Sequence, residues 1–359
     1  MVKQDLFGTT GKGRPVHRVT LENEGGIRAE ILTYGALLHR LAAPDKNGHP
    51  ADILMGTDTL AGYEANTAYF GAMVGRCANR IRKGRFQLAG TVYQLALNHG
   101  EDHLHGGPIG FDRAVWEIIA TTAPPRPSVT LKHISPHGDQ GYPGELEVRV
   151  TYALDEAGRL TIDCRATSDA LTIVNLANHA YFNLSGDCRR PIDDHLLWID
   201  ADRYTPVSAA VIPTGELAPV TATPFDFRVP TAIGSRINSD HQQIRRGEGY
   251  DHNFVLNRPG HLERPAAWAC HPESGRLLTV YTSQPGIQFY SGNHIAADVP
   301  GKNRVENKRR HAFCLETQHF PDAVNQDHFP PVTLRPEERY HQTTIYAVGI
   351  RGGSERRMR

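Results

Sequence analysis

The sequence predicts an all-β chain folded as a large antiparallel β-sandwich, and three observations carry the prediction. Apolar and polar residues alternate at period two along most of the chain, the spacing that turns one side of a strand toward a core. The runs are short and are broken at close intervals by 34 glycines and 24 prolines, the residues of tight turns. Helical periodicity is nearly absent, and no strand–helix–strand alternation of the kind that builds a parallel sheet can be traced.

In chain order the first long run is 27–41. A short helix fits "DTLAGYEAN", 58–66. "RFQLAGTVYQLAL" reads as a hairpin turning about Gly90, and 115–121 as a further strand. "GELEVRVTYAL" places Leu146, Val148, Val150, Tyr152 and Leu154 on one face, and "RLTIDCRA" does the same with Leu160, Ile162 and Cys164. "DEAGR" between them, with Gly158, closes a hairpin. Strands at 171–178 and 195–201 follow, then the hairpin "WACHPESGRLLTVYT" turning near Gly275, then strands at 288–290 and 343–350. No repeat, low-complexity block or interdomain linker interrupts the series. Residues 1–351 are expected to form a single domain, and 352–359, "GGSERRMR", a frayed tail.

Composition bounds the function. With 39% hydrophobic and 22% charged residues the chain has the material for a sizeable core. Lys plus Arg and Asp plus Glu number 39 each, so the formal net charge is zero. Bulk charge therefore offers no grip on nucleic acid or an anionic membrane, and neither is expected as a partner. The N-terminal stretch has no apolar leader segment, and no run approaches the length of a membrane span. Cys77, Cys164, Cys188, Cys270 and Cys314 are scattered, odd in number and without a C-x-x-C. They are expected to be free thiols of a reducing compartment, which places the protein in the cytoplasm.

Unusual polar residues gather at the ends of the strand runs, where a site is usually built. "HAFCLETQHFPDAVN" poses the sharpest question. Phe313 and Leu315 point one way, Cys314 and Glu316 the other, so Glu316 is a carboxylate partway along an apolar strand, where burial without a partner is costly. In "GRCANRIRKGRF", Asn79 and Arg80 lie between Ala78 and Ile81. There an Arg fork suits sugar hydroxyls or a carboxylate, though the stretch equally reads as a surface basic run. In "NHGEDHLHGG", His103 and His105 are spaced for a metal on one side of an extended segment; the alternatives are one inward imidazole beside Gly106 and Gly107, or a polar turn. "NLANHAYFNLSG" surrounds His179 with amides and aromatics, either an oriented proton carrier or a satisfied core histidine. Asp251 in "GYDHNFVLN" and Gln288 in "QPGIQFYSGN" are weaker signals, since each also suits a turn or a main-chain partner. Phe182, Phe289 and Tyr181 are aromatics that could stack on a sugar face. Together these groups suit binding a polyol and moving protons, and no nucleophile elbow, phosphate loop or dinucleotide fingerprint competes.

"GRCANRI", "LHGG", "NHAYFNL", "YDHNF", "PGIQFYSGN" and "CLETQHFPDAVN", in this order, resemble the signature segments of the aldose 1-epimerase (galactose mutarotase) family. The resemblance runs from about residue 15 to about residue 350. It implies the family's antiparallel β supersandwich and interconversion of the anomers of a free small-molecule aldose, without metal or redox cofactor. It implies Glu316 as general base, His179 as general acid and His105 as a second histidine near the ring oxygen or a hydroxyl. Asn79, Arg80, Asp251 and Gln288 match sugar-holding positions. "SAAVIPTG" departs from the family pattern in its small residues, away from the acid and base, and monomer and homodimer both stay open.

Four other readings compete. A catalytically silent sugar-binding module would not need both Glu316 and His179. A metal enzyme would take His103, His105, His179 and Glu316 as ligands. A glycoside hydrolase would have only Asp251 and Glu316 to offer as its carboxylate pair. A hexose-6-phosphate 1-epimerase would need a cationic phosphate pocket.

Overall fold

The structure, a computed structural model, describes residues 1–295 and 300–352; apart from Gly352, the tail expected at 352–359 lies outside them. It is built almost wholly of strands, with two helices of six residues each among the described residues. The first, Leu60–Ala65, falls within the expected 58–66. The Thr59 hydroxyl caps it by accepting the Gly62 N–H at 3.1 Å. No helix among the described residues is long and apolar enough to cross a membrane.

Three antiparallel sheets make up the body. A nine-stranded sheet has Leu146–Leu154, Arg159–Ser168, Tyr340–Ile350 and Arg276–Thr282 as neighbours at its centre. A six-stranded sheet sets Tyr181–Phe182, Phe313–Gln318, Gly286–Tyr290 and Asp251–Val255 side by side. A five-stranded sheet holds the N-terminal strands in sequence order. One apolar cluster draws on all three, including Val148, Val150 and Ile162, then Phe289, Phe313 and Leu315, then Leu21, Ile31 and Leu41. The expected hairpins are present at 146–168, 85–94 and 267–282.

Two expected strands divide. The run 27–41 becomes Arg28–Leu32 and Leu37–Pro44, which pair with each other. Gly35 and Ala36 turn the chain between them with φ of 66° and 42°. A Cβ on Gly35 would also meet the Asp112 carbonyl oxygen at 2.5 Å. Apolar residues continue through the turn, so alternation did not register it. The run 171–178 becomes Thr172–Ile173 and Ala177–Asn178, which bond to different partners, Thr333–Leu334 and Met73–Val74.

The centre of the six-stranded sheet positions the polar residues. Its register aligns Asn253, Gln288 and Glu316 in one row, and Asp251, Tyr290 and Cys314 in another. Side chains two apart share a face, so all six lie on one side. Phe254, Ile287, Phe289, Phe313 and Leu315 fill the other side, in the core. Phe289 is fully buried, with ring centroids of Tyr250 and Phe227 at 4.9 and 5.6 Å. Phe289→Ala should therefore cost about 3–5 kcal/mol in urea unfolding; a loss below about 1 kcal/mol would mean that this face is not the packed one.

Candidate active site

The polar face of these strands opens into a cleft of about 550 Å³. Asn79, Arg80, His105, His179, Asp251 and Glu316 all line it. Six of the seven residues singled out in the sequence therefore converge from five separate segments. Gln288, the seventh, is not part of the lining. It lies behind Asp251 and donates from Nε2 to Asp251 Oδ1 at 2.6 Å.

Asn79 and Arg80 are presented by a segment pinned at Arg76. That guanidinium is buried and donates to the carbonyls of Ser135, Pro136, Pro143 and Gly144 and to the hydroxyls of Ser135 and Thr172. Gly106 lies so close against this segment that a Cβ on it would sit 1.7 Å from the Gly75 carbonyl oxygen. This accounts for the glycine that follows His105.

Asn79 and His105 form a reciprocal pair. The His105 N–H donates to the Asn79 carbonyl at 3.0 Å, and the Asn79 N–H donates to His105 Nδ1 at 3.1 Å. Both residues take left-handed backbone, φ 60° and 51°, which costs on the order of 1 kcal/mol each and is held by the surrounding bonds. The donor aimed at Nδ1 requires a lone pair there. The proton of the neutral ring is therefore on Nε2, which makes His105 a hydrogen-bond donor. Burial, then the neighbouring His179 and Arg80, hold its pKa well below the usual histidine value.

This tautomer bears on metal binding. His105, His179 and Glu316 have donor atoms within 4.8 Å of one another, and two imidazoles with a carboxylate are a set that zinc accepts. A metal would need the Nε2 that carries the His105 proton. His103 does not join them: its Nδ1 is 2.6 Å from the Ala96 carbonyl and its Nε2 2.7 Å from the Tyr142 hydroxyl. The four-ligand arrangement of His103, His105, His179 and Glu316 is therefore not what the fold assembles.

Arg80 Nη2 lies 3.4 Å from Asp251 Oδ2, with both side chains 8% exposed. Asp251 is thus held between a guanidinium and the Gln288 amide. Glu316 has no such support. Its side chain is 2% exposed, its Oε2 accepts no hydrogen bond, and the nearest cationic candidate is His179 Nε2 at 3.6 Å. Burial, reinforced by the negative Asp251 and opposed by Arg80, raises the Glu316 pKa well above the usual carboxylate range. Burial likewise pushes His179 down to about 4, against smaller raising effects from its own carbonyl and Asp251.

The main chain at His179 is held by exchange with the segment before Met73: His179 N–H to Ala72 O at 2.8 Å, and Gly71 N–H to His179 O at 2.9 Å. The amides expected to orient the imidazole do not touch it. Asn178 and Asn183 donate to main-chain carbonyls instead. The ring is held by Tyr181 and Tyr69, stacked at 5.0 and 5.9 Å, and by Cys314, whose Sγ is 3.5 Å from Nδ1. Of the aromatics expected to face a sugar, Tyr181 lines the cleft, whereas Phe182 and Phe289 lie in the core. Strand alternation decides this, and Tyr69 and Tyr290 take their place. Asp112, which burial raises to about 7, also lines the cleft. So do His99 and His294. Tyr69, Asp112 and His294 had no sequence signal beyond their proximity to the motifs, whereas Tyr290, two residues from Gln288 in "QPGIQFYSGN", was marked by strand alternation.

An all-β body with a buried carboxylate–imidazole pair in a polar, aromatic-walled cleft defines an enzyme suited to proton transfer on a small polyhydroxylated molecule. The chain belongs to the aldose 1-epimerase family, whose profile matches residues 17–347. A galactose mutarotase from Homo sapiens is 45% identical over 351 residues, covering 97% of this chain and 99% of its own. An aldose 1-epimerase from Escherichia coli K12 is 36% identical, covering 93% and 95%. The crystal structure of a galactose 1-epimerase from Lactobacillus acidophilus superposes with a TM-score of 0.85 at 32% identity, covering 98% and 99%.

The dryness of the pair is measurable. In an NMR titration the His179 imidazole should have its midpoint at about 4. Asp251→Asn should lower the midpoint further, because the lost negative charge no longer favours the imidazolium. A wild-type midpoint near the ordinary 6.5 would mean that water reaches the ring.

Proposed function

We propose that the protein is an aldose 1-epimerase, an isomerase that interconverts the α and β anomers of a free aldose such as galactose or glucose. One observation carries the reading: a carboxylate oxygen and an imidazole nitrogen 3.6 Å apart, both buried, face each other in the cleft. Ring opening removes a proton from the hydroxyl on C1 and delivers one to the ring oxygen. Both oxygens are bonded to C1, so the base and the acid have to be neighbours.

Glu316 takes the hydroxyl proton, His179 as imidazolium protonates the ring oxygen, the bond from C1 to that oxygen breaks, and C1 becomes the aldehyde. Rotation about C1–C2 presents the other carbonyl face. Closure then runs both transfers in reverse. The pair carries one proton before opening, on His179, and one after it, on Glu316. The opposed shifts fit a pair that holds a single shared proton; in the free site they place it on Glu316, so it has to pass to His179 before the ring can open.

His105 donates from Nε2 to the ring oxygen or a hydroxyl. Asn79, Arg80 and Asp251 hold hydroxyls, and Gln288 acts by holding Asp251. The state of the cleft's arginines favours a free sugar over a sugar phosphate. Arg80 is paired with Asp251, while Arg113 lies 3.6 Å from Asp112 and donates to the carbonyls of Glu64 and Asn66. Asp251, fixed by Arg80 and Gln288, is a poor second acid for glycoside cleavage. We take residues 1–351 as one working unit in the cytoplasm, a reading supported by the burial of all five cysteines as thiols.

Optical rotation of freshly dissolved α-D-galactose and α-D-glucose tests this. The wild type should speed the approach to equilibrium with or without EDTA, and Glu316→Gln and His179→Asn should each slow it by roughly 10²- to 10⁴-fold. No acceleration on either sugar would sink the reading.

A further inference from the structure

We propose that Cys314 is a positioning residue for His179. Its sulfur accepts the Nδ1–H, fixing the tautomer in which Nε2 faces Glu316 and is the nitrogen that gives and regains the proton. The inference rests on the roles assigned above to Glu316 and His179.

Cys314 and Glu316 are two residues apart on one strand and share a face. The imidazole spans the two, with Nδ1 3.5 Å from Cys314 Sγ and Nε2 3.6 Å from Glu316 Oε2. A single strand therefore addresses both nitrogens of the ring. Cys314 is fully buried between its strand partners Tyr181 and Tyr290, so its sulfur is fixed in place.

The chemistry assigns the direction of the contact. As imidazolium, His179 carries protons on both nitrogens. After Nε2 has protonated the ring oxygen, the remaining proton has to be on Nδ1, or Nε2 could not take one back on closure. In both states Nδ1–H is the donor, and Sγ and the residue's own carbonyl are the acceptors within reach. Burial keeps the Cys314 thiol neutral, and the carboxylates of Glu316 and Asp251 add to that effect. A thiol sulfur is a weak acceptor. It orients the ring while adding little to its basicity, which leaves the imidazolium a ready acid toward an ether oxygen. A carboxylate in its place would orient the ring and also hold the proton.

The other groups facing the ring do not fill this role. Glu316 is on the Nε2 side. Tyr69 and Tyr181 stack against its faces. His105 and Tyr290 meet it edge-on at centroid distances of 5.0 and 6.4 Å. Asp251 acts on it through space.

The test combines ¹⁵N NMR of the His179 ring with kinetics of Cys314→Ala and Cys314→Ser, each checked by thermal melting. In the wild type the neutral ring should show a protonated Nδ1 and a bare Nε2, without any sugar present. In Cys314→Ala the residue's own carbonyl is the acceptor left to Nδ1–H, so the Nδ1–H form should weaken until the two tautomers mix, and kcat should fall roughly 10-fold, equivalent to about 1.4 kcal/mol, with KM little changed. Cys314→Ser offers a stronger acceptor, so the acid limb of the pH profile should move to higher pH. A wild-type ring with its proton on Nε2 would overturn the proposal, as would an unchanged kcat and pH profile in both variants. If Cys314→Ala fails to fold, the wild-type spectrum and Cys314→Ser still decide. The NMR result is independent of turnover, so a protein with the expected tautomer but no mutarotation would refute the activity and leave the ring geometry standing.

Discussion

The constraint on which this site depends is the register of three adjacent strands, Asp251–Val255, Gly286–Tyr290 and Phe313–Gln318. The alternation that buries Phe254, Phe289 and Leu315 in the core is the same one that directs Asp251, Gln288 and Glu316 the other way. A slip of one residue in any of these strands would exchange the two sets. Core packing and site assembly are therefore one specification: the free energy that holds Phe289 among Tyr250, Phe227 and Phe313 also fixes the partners of Glu316.

Two carboxyl groups on that face live in opposite electrostatic settings. Asp251 has Arg80 on one oxygen and Gln288 on the other. Glu316 has burial, a nearby negative charge and an unpartnered oxygen. Each setting reinforces the other, because the fixed charge on Asp251 helps keep the proton on Glu316. Different surroundings of this kind are how one site assigns separate tasks to like groups. Arg80 thus serves the pair indirectly: by neutralising Asp251 it keeps the local field from becoming so negative that Glu316 could never ionise. Arg76 plays the structural counterpart, holding with its buried guanidinium the loop that carries Arg80.

Much of this was legible in the chain. Period-two alternation and dense turns announced an all-β body, and the misplaced Glu316 announced a site. The divided run 27–41 was hard to read, because Tyr34 and Ala36 carry the apolar series across the turn at 33–36 and Gly35 alone marks it. The face of each aromatic was legible in principle. Phe289 neighbours Gln288 and so had to point away from it, and grouping the two ignored the period that had identified the strands. Tyr69 left no trace, because its place depends on a left-handed turn, φ 58°, beyond a short helix. The partner of His179 was mistaken for an amide because local sequence supplied amides. The actual neighbour, Cys314, comes from a strand 135 residues away.

The single proton shared by Glu316 and His179 has a further consequence. An acid–base pair that passed its proton in one direction only would end a turnover in a different protonation form from the one in which it began. Under the roles proposed for Glu316 and His179, opening moves the proton from one member of the pair to the other, and closure moves it back, whichever face of the carbonyl is attacked. The site keeps no memory of the anomer it has released. Successive turnovers in either direction start from one and the same catalyst, as befits a protein whose only product is equilibrium.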